Sequence, residues 1–113
     1  MDNQVFQLVV LEEAGRFLKT LSPSVRKKIA YNIRKIQGGI KDAELFKKLE
    51  NSGIWEFRTL YEGIAYRLFA FWDTGTDTLV VATNGIIKKT QKTPSKEIAK
   101  AEELRRRYFE TKK

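Results

Sequence analysis

The chain has no cysteine and no histidine. The first absence excludes disulfides, thiol nucleophiles and cysteine-ligated zinc. The second removes the ordinary imidazole base, leaving proton transfer to lysines, carboxylates or the substrate itself. The carboxylates show no metal-loop spacing, so neither a metal nor a cofactor is expected. Only two prolines and seven glycines interrupt 113 residues, which leaves most of the chain free to be regular helix or strand. No apolar run approaches a membrane-spanning length, and the opening Met1-Asp2-Asn3-Gln4 lacks the positive start of a secretory signal. The expectation is a cytoplasmic protein with no membrane partner.

What the chain does have is positive charge. Its 22 Lys and Arg outnumber 14 Asp and Glu, for a net charge of +8. This imbalance favours an anionic partner, but charge alone does not choose among RNA, DNA, an acidic protein and a membrane surface. An apolar fraction of 42% with 12% aromatics is enough for a compact core. At this length residues 1–113 form one domain.

Val5 to Leu11 reads as a strand, and Ala14, Phe17, Leu18 and Leu21 follow at helical spacing. Ser22 caps a second helix, Pro23 to Gln37, whose buried stripe is Val25, Ile29, Ile33 and Ile36. Gly38-Gly39 stops it. No acidic residue occurs from Arg16 through Lys41, so this helical exterior is either a solvated face or one turned toward RNA or a partner. Ala43 to Leu49 reads as a short helical connection. Ile54–Leu60, Ile64–Trp72 and Thr78–Asn84 read as three sequential strands in an antiparallel meander. Ser95 is the expected N-cap of a last helix striped by Ile98, Ala101, Leu104 and Tyr108. The fold expected is α+β: a small antiparallel sheet with two N-terminal helices and a C-terminal helix, the helices packed on one sheet face.

Alternation along the first two meander strands separates Trp55, Phe57 and Thr59 from Ile54, Glu56, Arg58 and Leu60. It likewise separates Tyr66, Leu68, Ala70 and Trp72 from Ala65, Arg67, Phe69 and Phe71. A turn spanning Tyr61 to Ile64 pairs Leu60 with Ala65 and sets Arg58 across from Arg67; a three-residue turn puts them on opposite faces. Two opposed arginines repel, and Glu56 can offset that; with an anionic ligand the pair is instead a phosphate clamp. Lys88-Lys89-Thr90-Gln91-Lys92-Thr93, bounded by Pro94, is a second basic segment. As a plain connection it is a solvated loop. Anchored between a strand and a helix, it places Lys88 or Lys89 against phosphate, with Lys92 nearby and Thr90 able to add a hydrogen bond. Tyr61 is exposed if it lies in the turn. Tyr108 belongs to the helix stripe, with a phenol long enough to reach the basic face.

These pieces, in this order, resemble the HigB-like branch of the RelE/ParE toxin superfamily, the phage-derived Gp49-like proteins. The resemblance rests on Leu49-Glu50-Asn51-Ser52-Gly53-Ile54-Trp55-Glu56-Phe57-Arg58, then Tyr66-Arg67-Leu68-Phe69, then Lys88 to Pro94 and the helix that follows. It implies a RelE-like fold, a cognate helix-turn-helix antitoxin, and endonucleolytic cleavage of messenger RNA on the translating ribosome. Arg67 is then the leading transition-state stabiliser, Arg58 positions RNA, and Lys88 or Lys89 neutralises phosphate and assists proton transfer. Lys92 and Tyr61 would contact RNA, with Glu56, Thr90 and Tyr108 in support. The family's usual aromatic near the basic segment is replaced within Gly85-Ile86-Ile87-Lys88-Lys89. Two alternatives remain open: a ParE-like toxin acting on DNA gyrase, and a nonenzymatic RNA- or antitoxin-binding domain.

Overall fold

The computed structural model describes residues 4–75, 77–89 and 92–112. Strand β1 (Gln7–Val10) runs into helix α1 (Glu12–Lys19), and Ser22 separates this from helix α2 (Pro23–Gln37). The Ser22 hydroxyl accepts from the Val25 amide at 3.3 Å, while Pro23 sits where no amide donor is needed. The bounds of α2 are those its sequence pattern predicts, and Val25, Ile29, Ile33 and Ile36 are buried.

Four strands and one helix follow: β2 (Phe46–Lys48), β3 (Trp55–Tyr61), β4 (Ile64–Asp73), β5 (Leu79–Lys88) and α3 (Ser95–Thr111). The stretch expected to be a helical connection is therefore a turn and a short edge strand. Tertiary contact decides it: Phe46 stacks on Phe57 at 4.3 Å and on Trp55 at 4.8 Å, side by side with β3. Lys47 and Lys48 on that edge also discourage pairing with another chain. The start of α3 differs by one position, since Pro94 occupies the N-cap and Ser95 is the first helical residue.

The sheet order is β1-β5-β4-β3-β2. β3, β4 and β5 form the expected antiparallel meander, and β2 extends it antiparallel to β3. β1 pairs with β5 in parallel, so the sheet is mixed. The excursion through α1 and α2 is long enough to permit that direction.

The helices do not share one face. α1 and α2 cover a layer that includes Phe6, Phe57, Tyr66, Leu68, Val80 and Ala82. α3 covers the other, with Ala101, Ile98, Tyr108 and Phe109 against Ile54, Phe69, Phe71 and Val81. The physical reason lies in β4, whose nearly unbroken apolar run must be buried on both sides. Fully burying Phe69 and Phe71 contributes about 1.5–3 kcal/mol each. Among the described residues no helix is long and apolar enough to cross a membrane.

Candidate anion-binding site on the sheet

The β3–β4 connection fixes the site's register. Glu62 and Gly63 are its two central residues, with φ of 49° and 78°, the positive pair that a tight type I′ hairpin requires. Tyr61 therefore pairs with Ile64, Leu60 with Ala65, and Arg58 with Arg67. The four-residue turn is the register adopted, and both arginines project onto the α3 side of the sheet.

Lys88 reaches the same side through a bulge. Leu68 pairs with Gly85 but Ala70 pairs with Ala82, so Thr83 and Asn84 of β5 stand opposite Phe69 alone. Before the bulge, Val80 and Ala82 face α1 and α2; after it, Ile86 faces α3, and so does Lys88, which is paired with Ala65. Without the extra residue Lys88 would point into the opposite layer. The bulge is tied down from both sides. The Thr83 hydroxyl donates to Asn84 Oδ1 at 2.6 Å, and Asn84 Nδ2 donates to the backbone oxygen and Oε1 of Glu97, each at 3.3 Å.

α3 covers only part of this face, and its approach brings Thr93 to the arginines' carboxylate. The Thr93 hydroxyl lies 3.5 Å from Glu56 Oε2. The other oxygen, Oε1, is 3.5 Å from Arg58 Nε and 3.6 Å from Arg67 Nε. Glu56 is buried, and the Arg67 side chain is 9% exposed against 24% for Arg58. One terminal nitrogen of each arginine donates to a backbone carbonyl, Ala43 for Arg58 and Tyr66 for Arg67. Among the described residues, both Nε groups are buried without a hydrogen-bond acceptor, Glu56 being their charge partner at longer range. A buried cationic donor in that condition favours an incoming anion.

Electrostatics agree with the geometry. Burial pushes the Arg67 pKa down from its ordinary value, and Arg58 pushes it further; Glu56 and Glu44 act the other way. Lys88 is also lowered, first by burial and then by Arg67, with Arg58 and Lys47 adding to the effect and Glu56 opposing it. Lys47 stands directly across from Glu56 on β2, and sequence reasoning missed it. A helical reading of Ala43–Leu49 assigns Lys47 no sheet face; only the pairing of β2 does.

Of the residues expected at the site, Arg58, Arg67, Glu56 and Lys88 are brought together. Lys89 lies just past the end of β5 and is exposed, as is Lys92 next to Thr93. Thr90 lies outside the described residues. Tyr61 is a correction: it packs against the α1–α2 layer, on the face away from the arginines, because odd positions of β3 point there. Tyr108 is another. Its phenol donates to Asp73 Oδ2 at 2.7 Å, and its ring meets Phe71 edge-on at 5.2 Å. Arg67 lies near the hairpin end of β4 and Asp73 at the opposite end, six residues or about 20 Å away along an extended strand.

This arrangement of a five-stranded mixed sheet, two helices on one face and one on the other is a RelE-like fold. The described "E. coli toxin RelE" structure, an arginine-to-alanine double mutant in the free state, superposes with a TM-score of 0.63 at 15% identity, covering 88% of this chain and 96% of that one. Residues 16–106 match the family described as "Phage derived protein Gp49-like (DUF891)", and the chain belongs to that family. No curated protein matches it.

Proposed function

We propose that this Gp49-like chain is a HigB-like toxin, the RNA-cleaving half of a toxin–antitoxin pair, acting on messenger RNA during translation. The observation that carries the reading is the pair of buried Nε groups on Arg58 and Arg67, without a hydrogen-bond acceptor among the described residues and facing the same side as Lys88. Family membership and the RelE-like fold support the toxin class. An antitoxin that binds the chain and excludes RNA is the corresponding partner.

RNA supplies its own nucleophile. The 2′-oxygen attacks the adjacent phosphorus and loses its proton; the phosphorus–O5′ bond breaks, and the departing oxygen gains a proton. The products are a 2′,3′-cyclic phosphate and a 5′-hydroxyl. Arg67, the more buried cation, stabilises charge on the phosphoryl oxygens, and Arg58 holds the backbone in line. Lys88 stands two residue pairs further along the sheet, where its lowered pKa makes the neutral amine more accessible than in ordinary lysine. Glu56 orients the two arginines and is itself too enclosed by them to be the leading proton acceptor.

The test is purified protein added to translating ribosomes, with both RNA ends mapped. Cleavage leaving a 5′-hydroxyl is expected. Arg67→Ala should lower the rate about 100- to 1000-fold while ribosome binding and the circular dichroism spectrum persist. Intact transcripts, or an unchanged rate in Arg67→Ala, would reject the reading. Gyrase-dependent DNA breaks in a parallel reaction would move the chain to the ParE class.

A further inference from the structure

We infer that the α1–α2 side of the molecule carries a second recognition surface, built for an acidic amphipathic polypeptide segment. It lies on the face of the sheet opposite Arg67, goes beyond the cleavage reading and does not depend on it.

The first observation is where the net charge resides. Between Arg16 and Lys41 there are eight cations and no acid; the rest of the chain has 14 cations and 14 acids. The whole excess of +8 thus belongs to the end of α1, α2 and the turn after it. On α2, Lys27, Lys28, Tyr31, Arg34 and Lys35 recur at steps of one, three, three and one, forming one stripe opposite the buried isoleucines. Over these eight or so residues the stripe is about 12 Å long. None of its four cations forms an ion pair among the described residues. On α3, by contrast, Arg105, Arg106 and Arg107 are paired with Glu102, Glu103 and Glu110.

The second observation is an apolar groove at the C-terminal end of the same helix. It has a volume of about 440 Å³ and is lined by Val5, Ile36, Ile40, Phe46, Trp55 and Trp72. Val5 and Ile40 are exposed; Lys41 and Asp42 both stand among the lining residues, so the groove itself is neutral and the stripe supplies the positive charge. Carboxylates meet the stripe while apolar side chains enter the groove, and only a polypeptide offers both on one segment. An RNA backbone supplies phosphates but no aliphatic anchor. Tyr31, 51% exposed, is already flanked by Lys28 and Lys35 at 5.2 and 5.4 Å from the ring centre, so it is not an open stacking platform for bases.

Trp55 and Trp72, the only tryptophans of the chain, both line the groove, so its occupancy can be read from intrinsic fluorescence. The probes are a synthetic amphipathic helix with glutamates on one face and leucines on the other, polyglutamate of equal length, and a short RNA duplex. The leucine-bearing helix should bind and shift the emission. The combined change Lys27→Glu, Arg34→Glu and Lys35→Glu should weaken that binding about tenfold or more at low salt, and less at high salt. Ile40→Asp, which leaves the stripe intact, should weaken it at both. Lys96→Glu on α3, set against Arg34→Glu alone, controls for net charge, since each reversal shifts it by two. Equal binding by polyglutamate without an emission change, an unaltered affinity in the triple variant, or the same loss with Lys96→Glu as with Arg34→Glu would overturn the inference. Preferential binding of the duplex, lost in the triple variant, would make this a nucleic-acid surface and overturn the polypeptide assignment. RNA cleavage by the same variants reads the arginine site separately.

Discussion

Arg58 and Arg67 stand directly opposite each other on β3 and β4, sharing one oxygen of Glu56 at 3.5 and 3.6 Å. Both separations are long for a hydrogen bond. Like charges in a cross-strand pair are destabilising, and a single carboxylate divided between them leaves the repulsion only partly offset. Under the proposed function, a phosphate on this face would complete what Glu56 cannot. Stability and anion affinity would then be two readings of one electrostatic arrangement.

Glu56→Gln should separate those readings. Removing the buried anion leaves two enclosed cations without their counter-charge, at a loss of about 3 kcal/mol in chemical denaturation. Added polyphosphate should then stabilise the variant more than it stabilises the parent protein, because the anion replaces a missing partner. An equal gain in both proteins would mean that phosphate does not bind between the arginines.

The bulge at Thr83 and Asn84 makes neighbouring lysines unequal. Lys88→Met should slow RNA cleavage about 10- to 100-fold, while Lys89→Met should stay within about threefold. Lys88→Arg keeps the charge but removes the readily titrated amine. It should retain RNA binding and lose the rise of rate with pH that the lowered lysine pKa produces. Cleavage by Lys88→Arg at the parental rate and pH profile would limit Lys88 to neutralising phosphate.

Part of this site is legible from residue order. Alternation puts Glu56 and Arg58 on one face, but residue order leaves two registers for Arg67, and the positive φ of Glu62 and Gly63 goes with the one that sets it opposite Arg58. The bulge is not legible, because a one-residue irregularity in β5 leaves no mark on local hydrophobic pattern and is fixed by the Asn84–Glu97 bonds to a helix 13 residues on. Lys47 escaped for a similar reason: β2 exists because Phe46 stacks against β3, a tertiary gain that outweighs weak local propensity. Tyr61 and Tyr108 show the converse. Aromatic residues near a basic segment in sequence were drawn by burial to another face and another end of the sheet.

Gly85 marks a close approach of α1 to β5. A Cβ there would lie 2.3 Å from the Phe17 ring. Gly85→Ala should cost about 1–3 kcal/mol through overpacking. Combining it with Phe17→Ala should recover part of that loss, giving a non-additive cycle in denaturant titrations. Strict additivity would place the strain elsewhere.

Asp73 pins the end of α3 to the end of β4. Lys112 Nζ donates to its Oδ2 at 2.7 Å, Tyr108 donates to the same oxygen at 2.7 Å, and the Gly75 amide donates to Oδ1 at 3.1 Å. Lys112 foremost, then Tyr108 and Gly75, hold the Asp73 pKa down to about 2, against about 3.9 for an unperturbed aspartate. A depressed carboxylate pKa stabilises the fold above the unfolded value and ceases to do so as pH falls through the folded one. The contribution is therefore fully present at neutral pH and disappears between about pH 4 and pH 2. Asp73→Asn should be less stable than the parent by about 1–2 kcal/mol at pH 7, the figure kept low because Lys112 is half-exposed. The gap between the two proteins should close across that acid window. A gap that persists at pH 2 would show that Asp73 acts through shape and neutral hydrogen bonding, with its charge contributing little.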